Sequence, residues 1–84
     1  MEKFRKAIAT FFVQKRKEAG LSQQAAAKKT GIPLSNLVSF EDGSLSLGVN
    51  ILGAMVRIYG VPPQEFMEMI TMDQKQFLER NKKE

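Results

Sequence analysis

Cysteine and histidine are both absent from this chain of 84 residues. Their absence excludes disulfide bonds, thiol chemistry and the usual sets of zinc ligands. It also removes the commonest general base of enzymes and their commonest strong nucleophile, and no pair of carboxylates is convincingly arranged for catalysis. We therefore predict that the protein is not an enzyme and requires neither a metal ion nor a cofactor.

Long hydrophobic runs are missing as well. No apolar segment approaches the roughly 20 residues that a membrane-spanning helix needs, and the N-terminus lacks the hydrophobic region of a signal peptide. We therefore expect a cytoplasmic protein without a membrane partner. A chain of 84 residues suffices for one small domain, whose stability depends on close core packing or on oligomerisation.

Positive charge is present but unevenly distributed. The formal net charge is +4 and the sequence pI is about 9.6, a mild bias towards polyanionic partners. From Gly31 to Ala54, however, there is no Lys or Arg, whereas Glu41 and Asp42 are both acidic. Composition alone therefore says little about the partner.

The segment from Leu21 to Gly43 carries the signals of two short helices joined by a tight turn. Ser22 is a good N-cap for the first helix, because its hydroxyl can accept a hydrogen bond from an amide of the first turn. Gly31 suits the end of that helix, since glycine adopts the left-handed conformation easily. Pro33 offers a preset φ at the first position of the next helix. These signals predict a helix-turn-helix unit over about residues 22–42.

Apolar residues at helical spacing predict three further helices around this unit. One runs from Met1 to Ala19, another from its expected cap Ser46 to about Tyr59, and the last from Pro63 to Ile70. Together with the two helices of the motif they predict an all-α, compact five-helix domain over residues 1–70.

Residues 71–84 form a C-terminal extension in this interpretation. Asp73 is a suitable cap for a short sixth helix with Phe77 and Leu78 on one face, and a charged tail follows. The two apolar residues indicate that this part docks on either the parent domain or a second subunit.

One ordered set of residues has the spacing of a known motif. Its members are Arg16, Gly20-Leu21-Ser22-Gln23, Ala27, Gly31-Ile32, Leu37 and Phe40-Glu41-Asp42-Gly43. The set resembles the Cro/CI-type (Xre-like) helix-turn-helix repressors, and the similarity extends to about Phe66. It implies a Cro/CI-like (lambda-repressor-like) fold and a transcriptional regulator, a repressor, that binds specific sequences of double-stranded DNA as a homodimer. The predicted helix Pro33–Asp42 would enter the major groove.

The resemblance also implies roles for single residues. The base-reading positions are those of Leu34, Ser35 and Ser39. Arg16 and Glu41 would form a structural ion pair across the motif. Candidates for contacts with the DNA backbone are Gln23, Lys28, Lys29, Asn36 and Ser44. For the glutamine and the two lysines of that set, simple solvation is an equally good interpretation.

The fifth helix often makes the dimer contact in the resembling family. Phe66 and Ile70 can either close the core or join that contact. Met67 and Met69 are the better interface candidates, because methionine adapts to irregular contacts. The C-terminal extension adds two further interface candidates, Phe77 and Leu78.

The predicted recognition helix departs from the pattern of the family. Typical members place Gln, Arg, Lys or Thr at its outward positions, whereas here Leu34 and Val38 form an apolar pair. Phosphate neutralisation supplies most non-specific affinity for DNA, and the segment without cations does not provide it. A second interpretation is therefore a protein-interaction module on the same fold. Such an antirepressor, antitoxin or adaptor would bind a regulatory protein partner through the Leu34/Val38 face.

Overall fold

The computed structural model describes residues 2–71, with side chains from residue 5 onward. This part of the chain folds into five helices and contains no strand. The helices are α1 (Glu2–Glu18), α2 (Gln23–Thr30), α3 (Leu34–Glu41), α4 (Val49–Tyr59) and α5 (Pro63–Thr71). The predicted all-α, five-helix fold is confirmed. The predicted sixth helix, including Asp73, Phe77 and Leu78, lies outside the described residues.

The helix ends of the motif form as the sequence predicts, with one shift. The Ser22 hydroxyl accepts a hydrogen bond from the Ala25 amide at 3.0 Å, and Gly31 adopts a left-handed φ of 77° at the end of α2. Pro33 was expected inside α3 but precedes it, because its ψ of 138° is extended. Its carbonyl nevertheless accepts the Leu37 amide at 3.0 Å.

The N-cap of α4 lies two residues later than expected, at Gly48 instead of Ser46. The expected cap, Ser46, lies in an irregular loop, and Gly48 stands at the N-cap without a side chain to bond the first turn. The Gly48 carbonyl accepts the amides of Ile51 and Leu52. Because Leu47 packs against the core, this tertiary contact competes with an earlier start of the helix.

Phe12 lies at the centre of the core and is fully buried. Its ring lies 5.9 Å from that of Phe40 on α3, 6.4 Å from that of Tyr59 on α4 and 6.0 Å from that of Phe66 on α5, measured between ring centroids. A single side chain of α1 therefore contacts three other helices. None of the helices within residues 2–71 combines the length and the apolar character needed to cross a membrane.

The two methionines of α5 lie in opposite environments. Met67 is 52% exposed, whereas Met69 is fully buried among the core residues. The prediction that Met69 forms a dimer interface is therefore wrong, because its side chain is already covered by its own domain. Met69 follows Phe66 by three residues and so shares its helix face. Phe66 and Ile70 also pack against the core.

Tyr59 combines burial with an unpaired hydroxyl. The residue is only 6% exposed, and its hydroxyl has no hydrogen-bond partner among residues 2–71. Burial and the nearby Glu41 carboxylate raise the pKa of Tyr59 to about 12, while Arg16 acts in the opposite direction. A buried hydroxyl without a partner costs about 1–3 kcal/mol.

We expect Tyr59 to ionise with a midpoint near 12 in the folded protein, against about 10 in the unfolded chain. The chain has one Tyr and no Trp, so its tyrosinate absorbance reports this group alone. The unfolded state releases the proton at lower pH, so this group should lower the free energy of unfolding as the pH rises from about 10 to about 12. A midpoint near 10 with the circular dichroism of the helices intact would contradict this assignment.

Candidate nucleic-acid interface

The turn between α2 and α3 is held by short-range bonds and by burial. The Thr30 hydroxyl donates to the Ala26 carbonyl at 2.7 Å, and the Ile32 amide donates to the Thr30 hydroxyl at 3.4 Å. Ile32 itself is buried in the core. Ala26 and Ala27 are buried as well, and their small side chains let neighbouring helices approach α2 closely. The two helices of the motif are therefore held at a defined angle.

One face of α3 packs into the core, and the opposite face is exposed. Leu37 and Phe40 are buried, whereas Leu34 is 39% exposed and Val38 is 40% exposed. These two apolar residues stand four positions apart, and hence on one face. Ser35, which lies beside them in sequence, is exposed too.

The remaining α3 candidates differ in accessibility. Asn36, the predicted backbone contact, is exposed, whereas Ser39, the third base-reading candidate, is half-buried. The Ser39 carbonyl accepts the amides of both Ser44 and Leu45. Val38 is 40% exposed and Ser39 is half-buried, so Val38 rather than Ser39 lies on the outer face of α3.

Arg16 and Glu41 form a buried, two-pronged ion pair. Arg16 Nε donates to Glu41 Oε2 at 2.7 Å and Nη2 donates to Oε1 at 3.1 Å. Arg16 Nη1 donates to the Leu21 carbonyl at 2.7 Å. The Gln23 side-chain amide donates to Glu41 Oε1 at 2.9 Å. We call these three side chains, Arg16, Glu41 and Gln23, the buried network; they join α1, the start of α2 and the end of α3.

Gln23 thus has a structural contact beyond simple solvation. Its side-chain amide group carries two hydrogens, and one of them bonds Glu41. The second amide hydrogen is not used in that bond. Gln23 remains half-buried at the start of α2, so contact with a phosphate stays a prediction.

Ser44 is exposed but already makes hydrogen bonds within the chain. Its hydroxyl donates to the Ser39 carbonyl at 3.1 Å, and its amide donates to Asp42 Oδ1 at 2.9 Å. Hydrogen bonds from Ser44 hold the pKa of Asp42 below its ordinary value. A serine hydroxyl has one hydrogen. A phosphate oxygen would therefore have to displace the Ser39 carbonyl to accept it.

The lysine side chains near the motif belong to α1 and α2. Lys28 and Lys29 are exposed in the last turn of α2. Lys6 of α1 lies against the turn after α3. A Cβ added at Gly43 would lie 3.2 Å from Lys6 Cγ. Nothing in the local sequence indicates this contact, because the two residues are brought together only by the packing of α1 beside α3.

We expect Glu41→Ala to lower the free energy of unfolding by about 3–5 kcal/mol, because Arg16 would keep a buried charge without its partner. Urea denaturation measures this change. Glu18→Ala is the control, since it removes an ion pair with Lys15 whose carboxylate side chain is 55% exposed, and a pair of this kind contributes at most about 1 kcal/mol.

Glu41→Gln should lose less stability than Glu41→Ala, because the amide oxygen has two lone pairs and can still accept two of the three hydrogen bonds that Glu41 accepts. This variant matters if Glu41→Ala fails to fold. Losses for both Glu41 variants no larger than that of Glu18→Ala would contradict a structural role of the buried network.

Comparison with known proteins gives one match. A family model described as helix-turn-helix matches residues 13–66, more than half of the chain. The matched range runs from within α1 into α5 and includes the buried network and the whole of α3. No significant match is found among curated proteins or solved structures.

Proposed function

The chain belongs to the Cro/CI-type (Xre-like) helix-turn-helix family of DNA-binding regulators, and on this basis we propose that it is a transcriptional repressor. In this proposal it binds a specific site in double-stranded DNA as a homodimer, with α3 in the major groove. Two-fold symmetry of the protein would then be matched by two half-sites spaced by about one helical turn of DNA.

The observation that carries the proposal is the one-sided anchoring of α3. Leu37 and Phe40 bury the inner face, and Glu41 ties the end of the helix to α1 and α2. A reading helix that is held rigidly loses little conformational freedom when it binds. Leu34 and Val38 stand on the face that remains available for base edges.

Phosphate contacts in this proposal come from around α3 rather than from α3 itself. Lys28 and Lys29 extend from α2, and Lys6 lies beside the turn that follows α3. Gln23 and Asn36 can add neutral hydrogen bonds to phosphates. Ser44 can do so when its hydroxyl leaves the Ser39 carbonyl. Lys6 thus provides a cation next to a segment that contains none.

The proposed dimer contact involves an exposed methionine of α5. Met67 is the remaining α5 candidate among the described residues, because its apolar side chain is exposed. Phe77 and Leu78 remain candidates from the sequence. A homodimer predicts that the molecular mass in solution, measured by light scattering, falls towards that of one chain when Met67 is replaced by Glu.

Selection of bound fragments from a random duplex library tests the proposed function directly. The wild-type protein should enrich a palindromic site at near-physiological salt, whereas the variant Leu34→Ala/Ser35→Ala/Ser39→Ala should not. Val49→Ala is the matched control, because Val49 is an exposed apolar residue outside the motif. Circular dichroism verifies that each variant is folded. Failure of the wild type to enrich any site would contradict the proposal.

We expect Lys6→Gln to weaken DNA binding and to reduce the steepness of log K against log salt concentration by about 0.9, because one phosphate contact is lost. Arg57→Gln is the control, since it removes the same charge from another exposed side chain. Equal slopes for the wild type and Lys6→Gln would show that Lys6 makes no phosphate contact.

The same apolar face supports a second candidate function. An antirepressor, antitoxin or adaptor could place Leu34 and Val38 against a protein, and the absence of Lys and Arg from Gly31 to Ala54 favours this candidate. Replacing both residues by Lys should then abolish the protein complex, while any DNA affinity stays constant or rises. In the repressor, the same change should abolish selection of the palindromic site.

A further inference from the structure

Half of the exposed side chains on the outer face of α3 are apolar. Its exposed side chains are Leu34, Ser35, Asn36 and Val38, and none of them is charged. Arginine and lysine, the usual readers of guanine, are absent from α3 altogether. Leu34 and Val38, which are 39% and 40% exposed, carry no hydrogen-bonding group in their side chains.

The major groove offers one apolar group for such side chains. This group is the C5-methyl of thymine, whereas the other base-edge positions present hydrogen-bond donors and acceptors. An aliphatic side chain placed against a donor or acceptor removes its water without replacing the hydrogen bond, which is unfavourable. Contact with a methyl group carries no such penalty and buries apolar surface on both sides.

We propose that Leu34 and Val38 recognise thymine methyl groups, so that each half-site contains thymines at the two positions these residues contact. This inference rests on the proposed function, since it requires α3 to lie in the major groove. It names the chemical feature of the DNA that this particular helix selects.

Helix geometry limits the distance between the two thymines. Residues four apart are separated by about 6 Å along a helix axis, and successive base pairs are separated by about 3.4 Å. The two methyl groups therefore lie about one to two base steps apart. Ser35 lies between the two residues in sequence and can hydrogen-bond to either kind of base pair.

Removal of single methyl groups from the DNA tests this inference. In the palindromic site enriched by the wild-type protein, deoxyuridine replaces one thymine at a time, which deletes the methyl and keeps the base pairing. Loss of one buried methyl should weaken binding about four-fold, at two positions in each half-site. Equilibrium titrations at one fixed salt concentration provide the affinities.

Protein variants then identify the side chain that contacts each methyl. In Leu34→Ala, the four-fold effect should vanish at one of the two positions and persist at the other, and Val38→Ala should show the converse. Val49→Ala, which truncates an exposed apolar residue outside the motif, is the matched control and should retain both effects. All three side chains are exposed, so these truncations should leave the fold intact, as urea denaturation can verify.

Each outcome bears on either the inference or the proposed function. Undiminished affinity for every deoxyuridine site would overturn methyl recognition and leave the repressor in place. Deoxyuridine effects that persist unchanged in Leu34→Ala and Val38→Ala would also overturn it, because they would arise from DNA shape instead. If the wild type enriches no site, both the proposed function and this inference fail together.

Discussion

The buried ion pair between Arg16 and Glu41 is the interaction on which the geometry of the motif depends. It joins α1 to the end of α3, and Gln23 extends it to the start of α2. Burying two charges is expensive, and in some proteins such a pair contributes more to a unique arrangement than to net stability. Here the two-pronged geometry and the third bond from Arg16 to the Leu21 carbonyl satisfy most of the guanidinium. The angle between the two helices of the motif is thereby fixed before any ligand binds.

This constraint determines which surface of α3 is left exposed. Because the core and the buried network occupy one side of α3, only the side that carries Leu34 and Val38 remains. That side lacks the charged groups with which many DNA-binding proteins approach the phosphates. In the proposed complex with DNA, affinity and specificity consequently come from different elements. Cations on α1 and α2 are suited to the backbone, and short side chains on α3 are suited to the bases.

Much of the fold could be predicted because local signals and tertiary packing agree. Ser22 and Gly31 mark the ends of α2 by their own conformational preferences, and the structure uses both in that way. Predictions failed where local preference conflicted with burial. In isolation Ser46 is a better N-cap than Gly48. Leu47 packs against the core, however, and α4 begins only after Gly48. Met69 was expected in a dimer interface because methionine adapts to irregular contacts. Its spacing of three residues from Phe66, however, places it on the buried face of α5.

By itself, the sequence determined the number and order of the helices within residues 2–71, the position of the motif and the family. These properties depend on helical periodicity and on capping and turn residues close together in the chain. Only the tertiary structure decided that Gln23 bonds Glu41, that Ser44 bonds Ser39, and that Lys6 lies beside Gly43. The Gln23 and Lys6 contacts join residues far apart in sequence, and the Ser44 hydroxyl has several possible acceptors nearby. None of these choices has a local signal, because each depends on how whole helices pack around Phe12.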